Sequence, residues 1–472
     1  MAGAFRPSIE VGDVSESIVD LSEAAFPEAP IRKADLGYVL ACVRHAQCCS
    51  VVAPSNMGKS LLLKSLSQYE VRLACASGPS NVPVTVFVDC LEAGDSEHAF
   101  YELLLRRTAD ELEGCGAPPA TVGILRAIHQ DVLRTTTDIA IRSLFATSMR
   151  ELDRWGDVRL VVILDEFDDV LTGLPPWPFR QLRALRDALG DKLCYVTGTS
   201  RHLERLRSDA ETHEFRELFH LHTLVLRPLS KADAKRLVAH LATKHAEVPS
   251  KGQEAVVVRL SGGHPGLLEC LYSMVSQGGL ESVTPENASL VELSAQEPIQ
   301  AECRQLWDEL EERERDGLLA FLGGGQAGLE ESQRLALKTK GLLAKDEGGV
   351  LTVFSPLFEA FLRTELKRPR TVERIGVRCN LETGQIWSDD HEITLSLSES
   401  QRRLIRLLYQ HRGAICSYDK IAEQVWGVGE GVTPGAIYEL VKRVRQKVEP
   451  DWRDPCYVLT VPGEGYRLKI SE

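Results

Sequence analysis

The 472-residue sequence contains no apolar run near the roughly 18 residues that a membrane-spanning helix needs. Residues 1–13 show neither a basic n-region nor an apolar h-region, so we expect no signal peptide. The twelve cysteines include no CxxC pair and no Cys/His cluster at zinc spacing. Reduced thiols in a cytosol fit this pattern, which argues against secreted, membrane-spanning and zinc-binding proteins.

Internal repeats and low-complexity tracts are also absent, and 43% hydrophobic with 26% charged residues argues against long disorder. The length is typical of about three domains. The net charge of −13 is unevenly distributed, because residues 368–472 hold 16 basic and 15 acidic side chains. The acidic excess therefore lies in the body of the chain, and the total charge does not exclude a nucleic-acid partner.

From residue 34 onward, short apolar runs alternate with longer amphipathic segments, as they do in βα units. The runs are rich in Val, Leu and Ile and mostly continuous in hydrophobicity, which is typical of strands covered on both faces. We therefore predict an α/β fold with a doubly wound parallel sheet. The predicted strands are 48–53, 84–88, 160–164, 193–197 and 223–226.

A phosphate-binding loop is predicted between the first strand and the helix that follows it. The segment matches GxxxxGK[ST], with Ala53 in place of the first glycine. Backbone amides and the helix N-terminus would hold phosphate oxygens, Lys59 would reach the β- and γ-phosphates, and Ser60 would bind Mg²⁺. The candidate ATP-binding residues here are Ala53, Pro54, Ser55, Asn56, Met57, Gly58, Lys59 and Ser60.

A second motif supports the first. The buried run 160–164 ends in Asp165 and Glu166. Asp165 would hold Mg²⁺ together with Ser60, and Glu166 would orient or deprotonate the attacking water. The alternative is an acidic cap on a strand end. Two motifs in one βα pattern favour a Mg²⁺–nucleotide site with Lys59, Asp165 and Glu166 as catalytic residues.

Polar residues also end the strand at 193–197. Thr197 or Thr199 would sense the γ-phosphate, since ligands gather at the carboxyl ends of parallel strands. We assign Thr199 to the ATP site, with ordinary strand termination as the alternative. Arg201 and Arg205 would contact phosphate in cis or in trans, unless they form ordinary surface ion pairs.

Residues 36–367 resemble the STAND branch of the AAA+-related ATPases, in particular its compact archaeal and bacterial group. Besides the two phosphate motifs, the resemblance rests on Arg-Pro-Leu-Ser at 227–230 and Leu-Ser-Gly-Gly-His-Pro-Gly-Leu at 260–267. It implies bound ATP or ADP with Mg²⁺, and adenine lying against Pro265. The implied domains are an ATPase core at 36–230, a helical lid at 231–292 and a winged helix at 293–367, after an N-terminal extension at 1–35.

In this winged helix we expect helices at 301–313 and 316–322 and a hairpin turn at 346–349. Two departures from the family matter. The C-terminal repeat array of its sensor members is not found, and no trans-acting arginine finger can be placed. The resemblance therefore implies slow or partner-dependent hydrolysis.

Residues 371–472 resemble the OmpR/PhoB-type winged-helix domain of bacterial response regulators. We set this domain at 368–472, and its start overlaps a candidate Lys-Arg-Pro-Arg linker at 367–370. The residues that carry the match lie at 395–401, 417–420, 425–427, 441–450 and 457–468. Independently of the family, Ile437, Val441, Val444 and Val448 recur at helical spacing as a buried stripe. The cations beside the stripe or on the closing hairpin would contact DNA, although a solvated basic face is the alternative: Lys442, Arg443, Arg445, Lys447 and Arg467.

The receiver domain that usually precedes such a DNA-binding domain is absent, and an ATPase stands in its place. We expect an ATP-binding, slowly hydrolysing STAND-type switch that controls binding to double-stranded DNA and so regulates transcription. It would form homo-oligomers in the ATP state, respond to a signalling protein and reside in the bacterial cytosol or nucleoid, away from membranes. Two alternatives stay open: a DNA-dependent ATPase of the origin-recognition or transposition-loader type, and a defence-type STAND switch acting through a protein partner.

Overall fold

The computed structural model describes residues 31–76, 82–94, 96–153, 159–245, 248–276, 290–345, 349–367, 376–381, 383–388, 391–394, 397–427, 434–449, 452, 455–461 and 464–469. Most of the predicted N-terminal extension, most of the linker and most of the hairpin turn at 346–349 lie outside the described residues. The chain divides into two compact units, Met1–Glu365 and Leu366–Glu472. The finer domain boundaries stay predictions.

The first unit contains a parallel sheet built from the five predicted apolar runs. Its strands are β1 (Cys49–Val52), β2 (Val84–Asp89), β3 (Leu160–Asp165), β4 (Leu193–Thr199) and β5 (Thr223–Val225). Their order across the sheet is β2–β3–β4–β1–β5, and every pair is parallel. Because β3 and β4 are buried along their whole length, their continuous hydrophobicity follows from cover on both faces. The predicted strands are confirmed to within one or two residues.

Helices cover both faces of this sheet. Val161 and Ile163 pack with the first helices on one face, while Val162 and Leu164 pack with the later helices on the other. The doubly wound α/β fold is therefore confirmed. One face carries α1 (Lys33–Arg44), α2 (Lys59–Ser65) and α3 (Tyr69–Cys75), and the other carries α4 (Glu97–Gly114), α5 (Pro119–Arg134), α6 (Asp138–Asp153), α7 (Asp168–Gly173), α8 (Trp177–Leu189), α9 (Leu203–Leu206) and α10 (His213–Glu217).

A helical region and a winged helix complete the first unit around one shared apolar core. The helical region contains α11 (Lys231–His245), α12 (Lys251–Ser261), α13 (Pro265–Ser276) and α14 (Leu290–Ser294). The winged helix contains α15 (Glu297–Glu309), α16 (Glu312–Gly324), α17 (Glu331–Thr339), the antiparallel hairpin β6 (Leu343–Lys345) and β7 (Leu351–Val353), and α18 (Pro356–Lys367).

The prediction of one helix over 301–313 is wrong, because the chain breaks between α15 and α16. Leu310 and Glu311 are extended there, and Glu311 begins α16. The carboxylate of Glu311 accepts from the backbone of Glu314, while the Glu314 side chain accepts from the Glu311 amide at 3.0 Å. This reciprocal capping box gives the Glu311 amide its partner, while the Glu314 amide also donates to the Glu311 carbonyl at 2.9 Å. Sequence reasoning missed it because glutamate is not a typical N-cap residue.

In the described residues of the second unit, three helices pack against two small antiparallel sheets around a separate apolar core. Its first sheet orders β10–β9–β8 and its second orders β11–β13–β12. A winged-helix arrangement is therefore confirmed for this unit. Its elements are β8 (Val377–Cys379), β9 (Ile386–Ser388), β10 (His391–Glu392), α19 (Glu399–Gln410), β11 (Cys416–Ser417), α20 (Tyr418–Trp426), α21 (Pro434–Val448), β12 (Val458–Val461) and β13 (Gly465–Leu468).

All twelve cysteines lie in described parts of the chain and carry free thiols, nine of them buried. The adjacent Cys48 and Cys49 are both buried, and Cys49 begins β1, which lies between β4 and β5 in the sheet. Among the described residues, no helix is both long and apolar enough to cross a membrane.

Candidate nucleotide site and DNA-binding surface

The loop between β1 and α2 curls tightly around the N-terminus of α2. Gly58 begins this helix in the left-handed conformation, with a φ of 81°. Asn56 is also left-handed, with a φ of 58°. Since most side chains avoid this region, Gly58 allows the turn that directs the following amides toward one point. The predicted strand–loop–helix context of the phosphate motif is therefore present.

Lys59 and Ser60 open α2 and face the acidic residues that follow β3. Lys59 is only 4% exposed, and its Nζ lies 3.5 Å from Oε1 of Glu166. The Ser60 hydroxyl lies 3.5 Å from the same oxygen. The two motifs, about a hundred residues apart in sequence, thus meet in one site.

Asp165 points to the α2 face of the sheet, because it shares strand parity with Val161 and Ile163. It is 2% exposed, and its Oδ1 accepts a hydrogen bond from the Glu166 amide at 3.0 Å. Burial raises the pKa of the Asp165 carboxyl, and Ser60 and Lys59 oppose that rise. The Asp165 carboxylate and the Ser60 hydroxyl are oxygen donors of the kind that Mg²⁺ prefers.

Glu166 adopts a left-handed backbone, with a φ of 49°. For a residue other than glycine this conformation costs roughly 1–2 kcal/mol. Burial also raises the pKa of the Glu166 carboxyl, and Lys59 opposes the rise. A carboxylate of raised proton affinity at the rim of a phosphate loop is suited to accept a proton from water, and backbone strain of this kind is concentrated at functional sites.

Strand β4 contributes space rather than a ligand at this point. A Cβ on Gly198 would lie 2.7 Å from Oδ1 of Asp165 and 2.5 Å from the Leu63 side chain. Thr199 is buried with its parity on the opposite face of the sheet, and its hydroxyl donates to the Arg201 carbonyl at 2.8 Å. The sensing role of Thr199 stays a prediction, because in this conformation its hydroxyl is committed to that carbonyl.

The two glycines between α12 and α13 form a tight corner. A Cβ on Gly263 would lie 2.2 Å from the Leu229 carbonyl oxygen, and one on Gly262 would lie 2.1 Å from the Phe354 carbonyl oxygen. The Leu229 amide also donates to the Gly263 carbonyl at 2.8 Å. The corner is therefore clamped between the segment after β5 and the segment before α18.

His264 and Pro265 follow this corner. His264 caps α13, since its Nδ1 accepts from the Leu267 amide at 3.3 Å. Burial lowers the pKa of His264 to about 3, with a smaller contribution from the charge of Arg32. The ring of Pro265 lies 3.9 Å from the Cβ position of Gly58. The structure thus brings Pro265 to the phosphate loop, and its contact with adenine stays a prediction.

Arg32 contacts the phosphate loop and was missed by sequence reasoning, which placed it in the N-terminal extension. It is 6% exposed, and its guanidinium donates to the Met57 carbonyl at 2.8 Å and pairs with Asp35 at 2.9 Å. No motif surrounds it, so the sequence offered no signal.

Three polar side chains of α15 also meet the phosphate loop. The Ser55 amide donates to Oε2 of Glu309 at 2.6 Å, and the Asn56 amide group donates to Glu302 at 2.9 Å and to Gln305 at 3.4 Å. The i, i+3, i+7 spacing of these α15 residues was a readable signal for one helical face, but it named no partner.

The candidate DNA-binding surface lies on α21. The predicted stripe is confirmed, since Ile437, Val441, Val444 and Val448 are all buried. Off the stripe, Arg443 and Lys447 are exposed, and Lys442 lies over the Trp452 ring at 5.7 Å. Arg467 is exposed on β13. Their contacts with DNA stay predictions.

Arg445 differs from its neighbours on α21. Its guanidinium donates twice to the Val458 carbonyl, at 3.0 and 2.7 Å, and once to the Thr460 hydroxyl at 2.8 Å. It also lies 5.7 Å from the centre of the Tyr466 ring. Burial lowers the pKa of Arg445. The side chain thus fastens α21 to the closing hairpin, which leaves its predicted DNA contact to compete with these bonds.

Two family matches agree with these two sites. Residues 43–206 match the family described as AAA domain, and residues 391–468 match the family described as transcriptional regulatory protein, C terminal. The chain joins an AAA-type P-loop ATPase domain to an OmpR/PhoB-type regulator domain. The AAA domain contains the phosphate loop and the Asp165–Glu166 pair, and the regulator domain contains α21 and the closing hairpin.

Curated relatives are similar over part of their length. The alkaline phosphatase synthesis transcriptional regulatory protein SphR of Synechococcus elongatus is 32% identical over 113 residues, which are 23% of this chain and 43% of SphR. The uncharacterized transcriptional regulatory protein YrkP of Bacillus subtilis is 29% identical over 147 residues, 28% of this chain and 63% of YrkP. The chain thus spans less than two thirds of either relative.

Solved structures resemble a larger share of the chain at low identity. The Walker-type ATPase PABY2304 of Pyrococcus abyssi is 14% identical with a TM-score of 0.42, covering 73% of this chain and 99% of that one. The ORC2 protein of Aeropyrum pernix in its ADP form is 13% identical with a TM-score of 0.39, covering 74% and 99%.

Proposed function

We propose that the chain is a nucleotide-controlled DNA-binding regulator of transcription, a STAND-type switch in which the AAA domain replaces a phosphorylated receiver. One observation carries the proposal. Lys59, Ser60, Asp165 and Glu166 meet in one site, on the same chain as a regulator domain with an exposed basic helix face.

We propose that the AAA domain binds ATP or ADP together with Mg²⁺. Gly58 and the amides at the start of α2 would hold phosphate oxygens, and Lys59 would neutralise them. Ser60 and Asp165 would hold Mg²⁺, which supplies charge neutralisation to the phosphates. The space kept free by Gly198 beside Asp165 and Lys59 supports this assignment.

Glu166 is the proposed base. Its burial raises the pKa of the carboxyl, which favours a carboxylate that takes a proton from the attacking water. Its left-handed backbone is strain of the kind that is found at functional sites. In the structure, however, Glu166 is paired with Lys59. Hydrolysis would require that pairing to be exchanged for contacts with substrate, so we propose slow turnover that suits a switch better than a motor.

We propose that the regulator domain binds double-stranded DNA. An exposed α21 face with Arg443 and Lys447, and Arg467 on the hairpin, would contact phosphates and base edges. About four to six phosphate contacts give a log–log salt slope of roughly −4 to −5. Such weak monomeric binding supports our proposal that homo-oligomers form in the ATP state and bind repeated half-sites.

Genome-wide mapping of bound DNA, for wild type and for Lys59→Ala, tests the proposal. We expect wild type to occupy a discrete set of promoters and Lys59→Ala, which should not bind ATP, to change that set or its occupancy. Identical maps from a variant shown to have lost ATP binding would contradict nucleotide control. Diffuse binding without promoter preference, with ATP turnover stimulated by any DNA, would instead indicate a DNA-dependent ATPase.

A further inference from the structure

We propose that α15 is a built-in competitor for the phosphate loop, whose Glu309 and Glu302 carboxylates hold the loop when nucleotide is absent and must leave it when a triphosphate binds. This inference rests on the proposed nucleotide site and adds the device that would link the site to the rest of the first unit. It concerns only contacts within that unit.

The Glu309 side chain contacts the phosphate loop directly. The Glu309 carboxylate accepts from the Ser55 amide at 2.6 Å, a short distance for a bond from an amide to a carboxylate. Backbone amides of this loop are the groups that a P-loop uses for phosphate oxygens. A side-chain anion from a helix about 250 residues away therefore bonds one amide of the predicted phosphate loop.

A second anion, Glu302, anchors the same helix two turns earlier. Its carboxylate accepts from the Asn56 side chain at 2.9 Å and lies 3.7 Å from the His264 ring. Gly266 makes room for it, because a Cβ there would lie 2.0 Å from Oε1 of Glu302. Glu302 is therefore seated in a fitted position between the loop and the start of α13.

The negative charges of Glu309 and Glu302 oppose the binding of ATP. ATP carries several negative charges, and Glu309 and Glu302 add two more beside the loop that must hold them. Like charges a few ångströms apart in a partly buried site repel by more than thermal energy. Binding of ATP is therefore opposed as long as α15 stays in place, and by reciprocity bound ATP drives α15 away.

The movement would not stop at α15. The adjoining face of this helix is buried in the shared core through Ile299, Cys303 and Leu306. Arg304 of α15 lies over the Phe361 ring of α18, at 5.4 Å. Since α18 ends at Lys367, where the second unit begins in sequence, displacement of α15 reaches the element directly connected to the regulator domain.

Affinity for a fluorescent ATP analogue, mant-ATP with Mg²⁺, tests the proposal on the full chain. Glu309→Gln keeps an oxygen for the Ser55 amide but removes the charge, and Glu302→Gln does the same for Asn56. We expect the double variant to bind the analogue about tenfold more tightly than wild type. The matched control is Glu297→Gln, which removes an exposed carboxylate from the far end of the same helix and should leave the affinity unchanged.

Trp307 provides a second readout on otherwise native protein, because it lies on α15 between these glutamates and is partly buried. ATP should change the tryptophan emission of wild type, and Trp307→Phe should abolish that change. This measurement stands even where a glutamate variant fails to fold.

Unchanged or weaker ATP binding in Glu309→Gln and Glu302→Gln, with wild-type binding that depends on Lys59, would overturn the competitor role. A Trp307 emission that stays the same when ATP binds would overturn the competitor role of α15 as well. Failure of the proposed function looks different, since wild type would then bind no ATP and Lys59→Ala would behave like wild type.

Discussion

His264 should make the first unit sensitive to mild acid. The Nδ1 atom of His264 accepts from the Leu267 amide, so a proton on Nδ1 would remove the cap of α13 and place a charge in a buried corner. His264→Asn removes the titration and keeps an oxygen that can cap the helix. We therefore compare the effect of a lower pH on the stability of wild type with its effect on this variant.

The pKa of His264 determines the direction and the size of the stability change with pH. Burial lowers the pKa of His264 to about 3 from its ordinary 6.5, so the unfolded chain binds the proton more readily. The stability that neutral His264 contributes is fully present above pH 6.5 and is lost as the pH falls from 6.5 toward 3. Between pH 7 and pH 5 this linkage removes about 2 kcal/mol of the free energy of unfolding.

Native-state hydrogen exchange of the α13 amides measures this directly. We expect the opening free energy of wild type to fall by about 2 kcal/mol more than that of His264→Asn when the pH is lowered from 7 to 5. The double difference cancels the titrations that both proteins share. Equal losses in the two proteins would refute the assignment of acid sensitivity to His264.

Further predictions concern the two sites. Gly198→Ala should weaken ATP binding more than tenfold, because the added Cβ would overlap Asp165 and Leu63. Calorimetric titration with ATP measures this loss. The control Gly123→Ala, which has open space around its Cβ, should bind ATP like wild type. Arg445→Met should destabilise the second unit by about 1–3 kcal/mol in urea unfolding, because it orphans a strand carbonyl, and a stability equal to wild type would count against this. Lys447→Met should leave stability unchanged and reduce the salt slope of DNA binding by about one, and an unchanged slope would remove Lys447 from the interface.

Much of the fold could be predicted because its signals are local. The run 160–164 is apolar at every position, and only a strand covered on both faces tolerates that over so short a length. The phosphate loop is recognisable because its backbone geometry demands Gly58 and its chemistry demands Lys59. The stripe from Ile437 to Val448 follows helical periodicity, which the buried side of a helix must keep.

What could not be predicted depends on contacts distant in sequence. Nothing near Glu309 indicates that its carboxylate reaches the Ser55 amide, since a glutamate on a helix is usually solvated. Arg32 has no motif, and its value lies in where the chain leads it. In the sequence, Arg445 is one of four similar cations of α21. Only the position of β12 shows that its guanidinium is bonded to the Val458 carbonyl.

DNA affinity under defined nucleotide conditions shows whether nucleotide in the AAA domain controls DNA binding by the regulator domain. The full chain is titrated onto a promoter fragment recovered by genome-wide mapping, at fixed ionic strength, with ATP and Mg²⁺, with ADP and Mg²⁺, and without nucleotide. We predict affinities that differ by about tenfold or more between these conditions in wild type and not in Lys59→Ala. The same affinity under all three conditions, in a protein that demonstrably binds ATP, would rule out control of DNA binding by nucleotide.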